Sequence, residues 1–108
     1  MWVLSTRGFF SVVQDAADPS RVLVRGRVRE DLERLGELLP HLEPWHDPKA
    51  DYAWRALVDR SDWGYALGVI AAEIDYGNFK NAVAARQGQA RASLYQQVWA
   101  VLYELQDR

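Results

Sequence analysis

The 108-residue sequence predicts an α+β fold: a two-layer sandwich, a mainly antiparallel sheet with helices on one face, and a long C-terminal helix. Three observations carry this. Residues 21–28 alternate, with Val22, Val24, Gly26 and Val28 on one side and Arg21, Leu23, Arg25 and Arg27 on the other, which is the period of a strand. Val28, Leu32, Leu35 and Leu39 then recur at the spacing of one helix face. From about Ala90 to Gln106 apolar residues recur at helical spacing again, in two adjacent stripes.

The elements follow in order. Gly8 to Gln14 reads as a strand, and Asp15-Ala-Ala-Asp-Pro-Ser20 as a turn in which Pro19 bars a continuing ladder, so residues 8–28 form a β-hairpin. Glu30 and Asp31 open a helix at the end its dipole favours for acids, and Pro40 closes it. His41 to Ala50 is mostly loop. A further strand is expected from Trp2 to Ser5 or from Leu42 to Trp45. Tyr52 to Asp59 is a strand with Tyr52, Trp54, Ala56 and Val58 on one face and Ala53, Arg55, Leu57 and Asp59 on the other. Ser61 is the expected cap of the next helix, whose apolar face is Trp63, Leu67, Ile70 and Ile74. Gly64 and Gly68 lie on it four apart and suggest close backbone packing, since each costs about 1 kcal/mol against alanine. Phe79 to Arg86 is a short helix stopped by Gly88. In the last helix Leu94, Val98, Val101 and Leu105 form one stripe and Tyr95, Trp99 and Leu102 a second. Either both are buried within the monomer, with Asn78 to Ala85 covering the extra stripe, or part of this face meets a second subunit. Trp54, Trp63 and Trp99 are assigned to the core, with Trp2 and Trp45 less clearly placed.

The composition, 49% hydrophobic and 26% charged, is that of a folded chain of one domain over residues 1–108. With no cysteine there is no thiol nucleophile, disulfide or thiolate site, which fits a reducing compartment. No basic leader precedes an apolar run, and the longest nearly uncharged stretch, Trp63 to Ala72, is far below the ~20 residues of a membrane span. A cytoplasmic protein without membrane contact is expected. The net charge of -2 conceals an uneven distribution. Residues 1–29 hold five arginines against two aspartates, residues 30–75 four cations against eleven acids, and residues 76–108 four cations against two acids.

Three constellations bear on function. Arg21, Arg25 and Arg27 project from the hairpin face opposite the valines. Arg55 joins them by parity, and Phe9 or Phe10 must share that face. Arginine with aromatics on an open sheet suits phosphate contact and base stacking, although the acidic total weighs against nucleic acid. The alternative is a solvated face whose arginines pair with Asp15, Asp18 or Asp59. His41 and His46, near Glu43, Asp47 and Asp51, match no metal spacing and read as loop residues, so no metal is expected. Asp75-Tyr76-Gly77-Asn78-Phe79-Lys80 places an acid, a phenol, an amide and an ammonium at a helix junction. It either receives an anion at the helix start, with Lys80 adding charge, or is a helix cap in which Asn78 closes the next helix while Tyr76 and Phe79 pack as a hinge between helices.

The runs Gly8-Phe-Phe-Ser-Val-Val13, Tyr52-Ala-Trp-Arg55, Asp75-Tyr-Gly-Asn-Phe-Lys80 and Val98-Trp-Ala-Val-Leu-Tyr103 resemble, in that order and over nearly the whole chain, a family of small bacterial proteins without an established activity. The resemblance implies a bacterial, cytoplasmic, single-domain protein and transfers no catalytic residue.

Three functions stay open on these residues. The first is a non-enzymatic interaction module that self-associates through Tyr95, Trp99 and Leu102. The second is nucleic-acid binding through the arginine face, with Arg25 and Arg27. The third is a small enzyme for an anionic metabolite, using Arg7, Arg55, Tyr76 and Lys80 as ligand contacts and His46 as an acid-base group. Ligand-binding candidates are thus Arg7, Arg25, Arg27, Arg55, Tyr76, Asn78 and Lys80. No catalytic residue or cofactor is assigned.

Overall fold

The computed structural model describes residues 1–106, which fall into two compact units, Met1–Ile74 and a second beginning at Asp75. The first unit holds an antiparallel sheet of five strands: β1 (Trp2–Leu4), β2 (Phe9–Gln14), β3 (Arg21–Gly26), β4 (Trp45–His46) and β5 (Trp54–Asp59), in the order β1-β2-β3-β5-β4. Helices α1 (Arg29–Gly36) and α2 (Arg60–Ala72) pack on one face. The predicted α+β class with helices on one sheet face is the observed one; a strand forms at Trp2–Leu4 as one of the two alternatives expected, and a second short strand lies at Trp45–His46, overlapping the other expected range only at Trp45.

The alternation read in the sequence decides the core. Val22 and Val24 of β3 and Phe10 and Val12 of β2 face the helices, as do Ala56 and Val58 of β5, and all are buried. They meet Leu32 and Leu35 of α1, Leu39 beyond it, and Trp63 and Ala66 of α2. Phe10 and Trp63 pack edge to face with centroids 6.2 Å apart. Each large apolar side chain so buried contributes about 1.5–3 kcal/mol.

The hairpin turn is held by its own aspartates. Asp15 accepts from Arg21 at 2.9 Å, and Asp18 accepts from the Ser20 amide at 2.9 Å and its hydroxyl at 2.7 Å. Those Ser20 bonds, with a smaller contribution from Arg21, hold the Asp18 carboxyl below its ordinary pKa. Arg60 reaches the same turn, donating its amide to the Ser20 carbonyl and its guanidinium to the Pro19 carbonyl. That anchoring starts α2 directly at the end of β5, so the boundary residue is Asp59 and not Ser61.

Three expectations about packing are corrected. Tyr52 does not share a face with Trp54 and Ala56. The β3–β5 ladder ends at Gly26↔Trp54, so alternation stops there and the Tyr52 ring turns to the opposite face, buried beneath arginines. A Cβ at Gly64 or Gly68 would meet nothing within 4 Å, so no close packing explains these glycines. Ile74 falls past the end of α2 and is 60% exposed.

The second unit is a helical hairpin of α3 (Phe79–Gln87) and α4 (Gln89–Leu102), joined at Gly88 and followed by a 3-10 turn, Tyr103–Leu105. Asn78 caps α3, its Oδ1 accepting from the Asn81 amide at 2.9 Å. Gly88 has φ +96°, a conformation that favours glycine, and its amide closes α3 on the Ala84 carbonyl. Val83, Ala92 and Tyr95 are the buried residues of the two helices. None of the described helices is long and apolar enough to cross a membrane.

Candidate functional site

Strand register builds one continuous row across the sheet. Trp2 pairs with Ser11, Ser11 with Arg25, Arg25 with Arg55, and Arg55 with Trp45. Paired residues share a face, and this face is the one opposite the helices. The row therefore reads Trp-Ser-Arg-Arg-Trp over all five strands, a width of about 19 Å at about 4.8 Å per step. Its ends are open, with Trp2 71% and Trp45 42% exposed. Apolar residues border it on both sides: Leu4, Phe9 and Tyr52 on one, and Val13, Leu23 and Leu57 on the other.

The guanidinium groups are organised around Tyr52. Arg25 lies 4.8 Å and Arg27 4.1 Å from its ring centroid. Arg25 also donates to the Ser11 hydroxyl at 2.7 Å, which explains how a serine is buried on this face. Arg27 donates to the Asp51 carbonyl, and Arg55 to the Tyr52 carbonyl at 3.1 Å. Among the described residues, the one carboxylate in ion-pair range of these three cations is Asp51, 3.8 Å from Arg55. Of the four outward arginines only Arg21 is neutralised by its own turn, through Asp15 and Asp18.

Arg7 stands apart from this cluster. It sits in the β1–β2 turn and bonds both carboxylate oxygens of Glu73, with the Arg34 carbonyl at 3.0 Å and Glu37 at 3.6 Å. The Glu73 hydrogen bond raises its pKa above the usual arginine value despite partial burial. This is a clamp between the turn and the end of α2, and it leaves Arg7 little capacity for a ligand. His46 stacks on Trp54 with centroids 4.5 Å apart, and His41 is exposed. No group of three metal-binding side chains exists among the described residues. A groove of about 410 Å³ opens beside β5, lined by Arg21, Pro40, His41, Leu57, Asp62 and Tyr65 among others, and contains none of Arg7, Arg55 or His46.

No family model matches this chain, and neither a curated protein nor a solved structure is similar to it. The site stands on its own residues.

In the second unit, Asn78 is occupied by its cap, Tyr76 packs 6.0 Å from Phe79, and Lys80 is exposed. The junction is a helix start in which Asn78 satisfies the Asn81 amide. Tyr95 is buried and stacks on Phe79 at 5.8 Å, with Arg91 over its ring, so it offers no open surface for association. Ala92, Tyr95, Trp99 and Leu102 follow one face of α4, and burial ends halfway along it. Trp99 is 61% and Leu102 56% exposed, so Trp99 is not a core residue. Leu94, Val98, Val101 and Leu105 are exposed along their whole stripe. The sequence located both stripes; it did not indicate that α3, which begins at Phe79 opposite Tyr95, is too short to run beside the rest of α4.

Proposed function

We propose that this chain is a bacterial, cytoplasmic, non-enzymatic interaction module that self-associates through α4. The observation that carries the reading is the uncovered apolar surface of that helix and the turn after it: Leu94, Val98, Trp99, Val101, Leu102, Tyr103 and Leu105 are all exposed. Contiguous apolar surface of this kind marks an interaction site, because monomers rarely leave more than a few hundred Å² open. The spacing of Leu94, Val98, Val101 and Leu105 is the alternating four-three-four of a helix–helix seam. No charged side chain occurs from Ala92 to Tyr103, so two copies of the segment meet without like-charge repulsion. A cysteine-free chain fits a reducing compartment.

Sedimentation equilibrium of the full chain tests the reading. A mass of twice 12.4 kDa is expected at tens of micromolar, and a monomer after Trp99→Glu with Leu102→Glu, at unchanged far-UV circular dichroism. A wild-type chain that stays monomeric at several hundred micromolar overturns it.

A further inference from the structure

We infer that the outer sheet face is a binding site for single-stranded nucleic acid, with Arg25 and Arg55 on phosphates and Trp2 and Trp45 stacked on bases.

Charge comes first. Arg25 and Arg55 are direct cross-strand partners, and like charges so placed destabilise a sheet. The carboxylate in ion-pair range of this pair among the described residues, Asp51, is itself largely exposed and reaches only Arg55. The Nη1 groups of both arginines have no protein acceptor among the described residues, and Arg27 beside them is exposed. An anion between the two guanidinium groups removes the repulsion and takes up these donors.

Shape then selects the anion. The face carries its cations at the centre of a row about 19 Å wide, which suits an extended strand better than a small metabolite. Both ends of the row present tryptophan, and Phe9 lies 6.1 Å from Trp2. Aromatic platforms interleaved with arginine are the means by which single strands are held without sequence reading. A duplex keeps its bases stacked inside, out of reach of these rings. An acidic peptide supplies charge but no planar groups for the tryptophans.

The experiment is fluorescence anisotropy with labelled single-stranded RNA and DNA of about 12 nucleotides, within the range that one such surface covers. Binding is expected at low salt, with log affinity falling on log salt at a slope of about -1.4 for two phosphate contacts. Arg55→Ala and Trp45→Ala, both near the exposed sheet edge, each weaken binding about fivefold or more. The double variant Arg25→Ala with Arg55→Ala removes it. Arg29→Ala, on an exposed turn of α1, leaves it unchanged. Circular dichroism confirms that each variant is folded; if the Arg25 variant is not, Arg55→Ala and Trp45→Ala still decide. The inference fails if neither strand binds at low salt, if Arg29→Ala matters as much as Arg55→Ala, if a duplex of the same sequence binds more tightly, or if polyglutamate displaces the strand as well as unlabelled RNA does.

Discussion

Gly8 is a point of close approach in the first unit. Its φ is +150°, and a Cβ there would lie 2.5 Å from Cγ of Asp31. Asp31 is 1% exposed, accepts from the Phe9 amide at 3.0 Å and pairs with Arg34 at 2.9 Å. Gly8 lets the backbone turn onto that carboxylate, which in turn satisfies the first amide of β2. Gly8→Ala combines a strained φ with a clash against a charged group that cannot withdraw, so a loss of about 3 kcal/mol or more is expected by urea denaturation. A loss under about 1 kcal/mol shows that the turn relaxes freely. Asp31 was legible only as an acid suited to a helix start. Nothing in the spacing of residues 8 and 31, or of 7 and 73, announces that they meet, because such contacts are set by how separate elements pack. The arginine row was half legible: parity put Arg25 and Arg55 on one face, while their direct opposition depends on register, which single-strand patterns do not specify.

At the scale of elements, strands declared themselves best. Their alternation is enforced by a core on one face only, so Val22, Val24, Ala56 and Val58 were readable from period alone. Helix α2 was less transparent. Its two glycines suggested a close partner, yet both positions are open. With helical backbone and free space at each Cβ, alanine removes unfolded-state freedom at no steric cost. Gly64→Ala and Gly68→Ala are each expected to stabilise by about 0.5–1 kcal/mol. Together they raise the thermal midpoint by several degrees, since a chain this size gains about 4–8 °C per kcal/mol. Thermal denaturation followed by circular dichroism measures this. A lowered midpoint shows that these two positions do not accept a methyl group freely.

At the scale of the molecule, the two units differ in how well each can stand alone. Every residue of the main core cluster, from Phe10 to Ala66, belongs to residues 1–74, and so do the Arg7–Glu73 clamp and the whole sheet. That segment contains its own complete interior and is expected to fold by itself, giving a dispersed amide spectrum. The segment from Asp75 onward has two short helices whose buried residues are Val83, Ala92 and Tyr95. Chains under about 40 residues without disulfide or metal are seldom stable unless they associate. Isolated helices of this length are marginal in water. A peptide of residues 75–108 is therefore expected to show little helix at low micromolar concentration and progressively more as concentration rises, because burying Trp99, Leu102 and the Leu94–Leu105 stripe against a second copy supplies the missing interior. Far-UV circular dichroism across a dilution series checks this. Helix content that is high and independent of concentration means that the hairpin stabilises itself, and the exposed stripe then loses its structural need for a partner.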